Sequence, residues 1–161
     1  MVSKASLATR HRTCLLALLA AVVAASGCIS MAVPERFLIL DRSPSQLRAT
    51  TPEESKIWVR EFDDDTKASL AFWKDALKAD FEKNRGYTLM GEASAKDGAG
   101  HEGFEMIWEA TLGGRAVREM ISVFVVPGLL CNTVRVVEYV ADVETFAKEV
   151  ETVRRSVSTV Q

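Results

Sequence analysis

Few residues in this chain are suited to chemistry, and their spacing limits what they could do. The histidines are His11 and His101, and the cysteines are Cys14, Cys28 and Cys131. His101 stands in Gly100-His101-Glu102-Gly103. A general base or zinc ligand there would need partners, and Glu102 and Glu105 do not complete a zinc-binding helix motif. The expectation is an exposed loop histidine. Asp63-Asp64-Asp65 could offer oxygens to Ca²⁺, but the glycine and spaced acids of an EF-hand loop are missing. Aspartates ahead of an amphipathic stretch are expected to cap a helix instead. Gly98, Gly100 and Gly103 lack both a following helix and the Gly-Lys-Ser/Thr of a phosphate loop, so a hairpin loop is expected. Ser94, Ser122 and Ser156 have no Gly-x-Ser-x-Gly setting, and a serine triad would rest on His101 alone. Any two of the 22 acidic residues might converge as glycosidase carboxylates, but no spacing singles out a pair. The chain is therefore expected not to be an enzyme, with no catalytic residues and no metal or other cofactor.

Cys28 is the exception. Lys4, Arg10 and Arg12 precede the apolar run Cys14–Ala25, and Ala25-Ser26-Gly27 leads directly into Cys28. A basic opening, a short apolar core and a small-residue ending are the layout of a secretory signal peptide. The competing readings are an ordinary cleaved signal and a retained anchor. A spanning helix needs about 20 apolar residues, and this run stops at Ala25. The Ala-Ser-Gly-Cys ending resembles the lipobox of bacterial lipoproteins. That resemblance implies cleavage before Cys28 and lipidation at Cys28, with acyl chains holding the protein on a membrane. Ile29 follows the cysteine, where an aspartate would favour inner-membrane retention in Gram-negative lipoproteins, so the outer membrane is favoured.

Cleavage would remove residues 1–27, with three of the 20 basic residues and none of the 22 acidic ones. What remains is acidic and long enough for one domain with a real core but not two. An acidic domain with dispersed Lys and Arg argues against nucleic acid as a partner. Cys131 is then alone, so no intramolecular disulfide can form, and it is expected to be a small buried hydrophobe.

The elements that must position these residues follow from periodicity. Residues 28–36 show none and are expected to be a lipidated tether. Phe37–Leu40, Leu47–Thr50 and Ile57–Phe62 are predicted strands, with a turn at Ser43-Pro44-Ser45. Leu70, Trp73, Leu77 and Phe81 recur at helical spacing, with Phe72 beside them, and Asn84-Arg85-Gly86 is a stop. Tyr87–Ser94 is a further strand. Phe104, Met106, Trp108, Ala110 and Leu112 alternate with a mainly polar set, and Gly113-Gly114 turns the chain into Arg115–Val126. Thr133–Val140 is the last strand, and Asp142 caps a helix striped by Val143, Phe146, Val150, Val153 and Val157. Trp58, Trp73 and Trp108 fall on core-facing or half-buried positions. The fold class expected is α+β, a largely antiparallel sheet with one apolar face packed against two amphipathic helices.

Ile57-Trp58-Val59-Arg60-Glu61-Phe62 precedes the first helix, and Gly103-Phe104-Glu105 precedes the Gly113-Gly114 hairpin. Val136-Val137-Glu138-Tyr139-Val140 then runs into Phe146 through Arg155-Ser156-Val157. This pattern resembles the PsbP-like superfamily over residues 37–158, with its Ran-binding factor and DcrB-type envelope lipoproteins. The resemblance implies a layered sandwich but no catalytic residue, since one scaffold carries unrelated functions. The expectation is a lipid-anchored accessory protein of the cell envelope, facing the periplasm and binding or assembling an envelope protein partner. The alternative is a carrier or sensor of a small apolar ligand between sheet and helix, where Phe72, Trp73, Phe81, Phe104, Met106 and Trp108 gather.

Overall fold

The period-two runs pair as one antiparallel sheet of seven strands. The computed structural model describes residues 29–161, so the leader and the lipidation position Cys28 lie outside the described residues. The strands are β1 (Leu38–Ser43), β2 (Gln46–Thr50), β3 (Lys56–Asp64), β4 (Thr88–Lys96), β5 (Glu102–Leu112), β6 (Arg115–Val126) and β7 (Asn132–Asp142). Their spatial order is β1-β2-β3-β7-β6-β5-β4, which makes β1 and β4 the edges. Gly113 and Gly114 both take positive φ, +57° and +81°, the backbone twist that a two-residue hairpin turn requires.

Helix α1 (Leu70–Ala79) runs into a π-helical turn at Asp80–Asn84, and helix α2 (Val143–Val157) closes the chain. The two helices cover opposite faces. Phe81, beneath α1, packs with Phe104, Met106, Trp108, Ile121, Val123, Val134 and Val136. Phe146, Val153 and Val157 of α2 pack with Met120, Phe124, Val137 and Tyr139. The expectation of one apolar face is thus corrected. β6 and β7 lie at the middle of the sheet and are apolar on both sides, because burial by two helices leaves them no wet face. The α+β fold itself is as expected.

α2 is the more firmly seated helix. Asp142 caps it, its carboxylate accepting from the Glu144 and Thr145 amides at 3.0 Å. The Tyr139 hydroxyl donates to Glu149 at 2.9 Å, and burial together with that carboxylate pushes the phenol pKa upward. Arg154 holds the buried Glu105 of β5 at 2.6 Å. In contrast, α1 itself has no fully buried residue; Leu70, Trp73 and Leu77 are half-buried, and only Phe81 in the following turn is enclosed.

Three local expectations are corrected. Asp63-Asp64-Asp65 does not cap α1: β3 runs through Asp64, and the N-cap is Ser69, whose hydroxyl accepts from the Phe72 amide at 3.1 Å. Asp64 instead closes the approach turn, accepting from Thr66 and Ala68 amides at 3.0 and 2.7 Å. Those hydrogen bonds, the Thr66 hydroxyl foremost, hold its carboxyl below the ordinary range. Cys131 is half-buried, not enclosed, because the apolar run around it includes a solvent-facing loop.

The third correction concerns the tether. Ile29 and Met31 are buried in the α2-side core, and Val33 packs against it. The Ile29 amide donates to Pro44 at 3.0 Å, and Ser30 and Gln161 exchange backbone hydrogen bonds at 3.0 and 2.9 Å. Non-periodic sequence hid an ordered segment whose apolar side chains fill the end of a sandwich.

Candidate functional site

β1, β2 and β3 extend the sheet beyond the reach of α1, leaving part of that face open. Strand register sets what stands there: Arg48 of β2 lies opposite Trp58 of β3, and Trp58 opposite Glu138 of β7. Both Arg48 and Arg60 place guanidinium groups against the Trp58 ring, at 4.6 and 4.2 Å from its centroid. Arg60 also ion-pairs with Glu138. Arginine over an indole face gains from the ring's quadrupole. Beside this ladder lies a cleft of 340 Å³, floored by Trp58, Ile57 and Val140 and walled by Leu40, Arg48 and Lys56.

The cleft opens towards β1, and β1 is unusual. Leu38, Ile39 and Leu40 are 65%, 48% and 68% exposed on a strand whose outer edge has no partner among the described residues. A sheet edge offers unpaired amide and carbonyl groups, and large exposed aliphatic side chains there are normally avoided. Exposed apolar patches of this kind mark sites of association.

Glu119 is buried on the same face near this ladder. Burial, then the Glu138 carboxylate, push its pKa up to about 7, against the pull of Arg85 and Arg60. A carboxyl raised in the folded state holds a proton that the unfolded chain releases above its ordinary value of 4.5. Stability should therefore fall as pH rises through the interval from 4.5 to about 7, then level off. Glu119→Gln is expected to abolish that fall, on the order of 2–3 kcal/mol between pH 5 and pH 8. Denaturant titrations of both proteins at the two pH values measure it; parallel profiles would disprove the assignment.

His101 is not the exposed loop residue expected. Its Nδ1 lies 2.8 Å from Oδ2 of Asp97, whose side chain is fully enclosed. Asp97 Oδ1 accepts from the Ala99 and His101 amides at 3.0 and 2.8 Å, closing the β4–β5 loop. Arg135 donates to the same aspartate at 2.8 Å and to Glu61 at 2.9 Å. An Asp–His pair of this kind could orient a general base. Among the described residues, however, His101 makes no side-chain hydrogen bond to a nucleophile, and the arginine marks a structural ion network. Gly98, Gly100 and Gly103 belong to this hairpin, with β5 following rather than a helix. Ser122 is buried within the sheet, and no group of three or more metal-ligating side chains forms among the described residues.

Sequence reasoning missed two features here. The Arg48–Trp58–Arg60 ladder needs the β2–β3 register, which the alternation of single strands does not supply. The Asp97–His101 pair had a legible signal, an aspartate four residues before the histidine across a glycine loop. A third feature is an open groove of 520 Å³ between α1 and β4, lined by Leu70, Ala71 and Phe104 and crossed by the Lys74–Glu92 ion pair at 2.6 Å. The layer beneath α1 is filled by Phe81 and Trp108, 5.1 Å apart. No helix among the described residues is long and apolar enough to cross a membrane.

A seven-stranded antiparallel sheet with one helix on each face defines the class, a layered α+β sandwich. Solved structures with this architecture include LpqN of Mycobacterium tuberculosis, described as involved in cell envelope biogenesis, with TM-score 0.63 and 14% identity over 83% of each chain. PA94 of Pseudomonas aeruginosa, a protein of unknown function, gives TM-score 0.55 and 13% identity over 83% of this chain and 96% of that one. The Ran-binding protein Mog1p of Saccharomyces cerevisiae gives TM-score 0.51 and 12% identity over 78% of each chain. At such identities the likeness is one of fold. No protein-family model matches the chain, and no curated protein matches it in sequence.

Proposed function

We propose that this protein is a lipid-anchored accessory protein of the bacterial cell envelope that binds a protein partner without catalysing a reaction. Cys28 is the acylated N-terminus, the domain faces the periplasm, and the outer membrane is the favoured location. The observation that carries the binding role is the β1 edge, where Leu38, Ile39 and Leu40 lie exposed beside the Trp58 cleft. An extended segment of a partner can add to such an edge through main-chain hydrogen bonds while the cleft takes one of its side chains. The fold likeness to LpqN, whose description places that protein in envelope biogenesis, agrees with the compartment. The alternative, a carrier or sensor of a small apolar ligand, rests on the α1–β4 groove; its openness and ion pair favour it less than a closed apolar cavity would.

The test is complementation of a deletion strain at matched protein level. Leu38→Lys/Leu40→Lys and Cys28→Ala are each expected to abolish rescue, the first while the protein remains folded and membrane-bound. A photo-crosslinker at position 40 should give one discrete protein adduct. His101→Ala and Cys131→Ala, alone or combined, should rescue fully. Full rescue by the double lysine variant would remove the edge from the function, and failure of a folded His101 variant would turn the reading towards an enzyme.

A further inference from the structure

The β6–β7 connection presents the two most exposed large apolar side chains among the described residues, Leu129 at 94% and Leu130 at 86%. They are held outward by a built loop. A Cβ on Gly128 would collide with the Cys131 carbonyl oxygen, so the turn closes tightly only with glycine there. Lys67, from the β3–α1 connection, donates to the Gly128 and Leu129 carbonyls at 3.1 and 2.7 Å. The leucines therefore face solvent from a loop fixed by its own carbonyl contacts.

The position of this tip matters because of where the chain enters the fold. Pro44 in the β1–β2 turn, the end of β3 at Asp64 and the start of β7 at Asn132 all lie at one end of the sheet, since Asp64 pairs with Asn132 and Ser43 with Gln46. The β6–β7 loop is at that end too. So is Ile29, which is buried and bonded to Pro44, while Ser30 is paired with Gln161. β2 and β7 flank β3, so the loop and the entry point are two to three strand spacings apart across the sheet, about 10–15 Å at about 4.8 Å per strand. Cys28 is one residue from Ile29, and one residue spans at most about 3.6 Å. An acyl group on Cys28 would thus be fixed to the domain with almost no slack.

We infer that this end of the domain lies flat on the bilayer and that Leu129 and Leu130 insert into it as a second, protein-borne contact. The inference rests on acylation at Cys28 and adds the orientation that acylation alone would not supply. A lipid tail on a long tether lets a domain tumble; one joined to a buried residue presses a defined end against the membrane. Apolar side chains at such a contact reach about 5–10 Å into the boundary between headgroups and acyl chains. The exposed charges beside the loop are Asp63, Asp65 and Lys67, and Lys67 is engaged by the loop carbonyls; with no basic cluster there, the surface that fits is a neutral one, bound through apolar burial rather than charge. Facing the bilayer this way leaves the β1 edge and the Trp58 cleft along the side of the molecule, open to a partner.

The test uses the full chain processed in cells, in a Cys131→Ser background, reconstituted into phosphatidylcholine vesicles. A nitroxide is attached at Leu130→Cys or, at the opposite end of the sheet, at Arg115→Cys. Intact mass first establishes whether Cys28 is acylated. The label at 130 should collide with membrane-dissolved oxygen and lose most collisions with an aqueous nickel chelate; the label at 115 should show the reverse. With Cys28 acylated, a label at 130 as open to the nickel chelate as that at 115 overturns the membrane contact and leaves the lipoprotein reading standing. A mature protein without acyl chains at Cys28 overturns both.

Discussion

Trp108→Ala is expected to cost about 3–5 kcal/mol, the range for deleting a fully enclosed large aromatic side chain. Trp108 is completely buried at the centre of the α1-side core, its ring 5.1 Å from Phe81, which in turn meets Tyr87 edge-on at 5.2 Å. α1 contributes only half-buried residues, so nothing above the void can close over it without moving the whole helix. Trp108→Phe should cost less than the alanine change, because one of the two fused rings still fills the site and the cavity left is smaller. The indole Nε1 that it removes has no hydrogen-bond partner. Leu77→Ala is expected to fall near the lower bound of its class, about 2 kcal/mol, since Leu77 is only partly covered. Urea denaturation ranks the three. A Leu77 loss equal to that of Trp108 would mean that α1 is seated more deeply than its exposure implies.

The contrast shows which parts of the molecule the sequence disclosed. Periodicity located both helices and strands such as β5 because burial on one face imposes it, apolar runs bounded by turn residues located the rest, and the Phe104-Met106-Trp108 alternation points to the face where those residues pack. It was blind where burial has no period. Met120 to Phe124 reads as one apolar run, and only the position of β6 between two helices shows that both faces are covered. Ile29 and Met31 look like linker residues, since two anchoring side chains in a short segment make no pattern. Arg48, Trp58 and Arg60 meet through strand register, which single strands do not encode. The β1 edge is similar: Leu38, Ile39 and Leu40 look like core residues until the strand order leaves them outside. Composition likewise could not separate a buried Cys131 from one beside a protruding loop.

The ion network at the β4–β5 loop should respond as strongly as the aromatic core. Asp97→Ala is expected to cost about 3–5 kcal/mol, the range for breaking a buried charge pair. The substitution removes the oxygen that accepts from two loop amides and leaves Arg135, itself nearly enclosed, with Glu61 as its remaining carboxylate. The loop also fixes the C-terminus, as the Gly98 amide donates to Val160 at 2.8 Å, so the loss should extend to the segment carrying Ile29 and Ser30. His101→Ala removes only the half-exposed end of the network and should cost about 1 kcal/mol. The pH dependence separates charge from shape. Burial pushes the Asp97 carboxyl up, but hydrogen bonds from the His101 ring and amide outweigh it and leave the group below its ordinary 3.8. A carboxyl lowered on folding stabilises the native state above its unfolded value, and that contribution is lost as pH falls through the folded one. The wild-type protein should therefore lose stability below about pH 4. Asp97→Asn, which keeps an acceptor oxygen but cannot titrate, should show a flatter acid limb from a lower starting stability. Denaturant midpoints from pH 2 to pH 7 would decide it: an acid limb unchanged in the Asn variant would assign acid sensitivity to Asp64, Asp80, Glu92 or Asp142, whose carboxyls are also held low by hydrogen bonds.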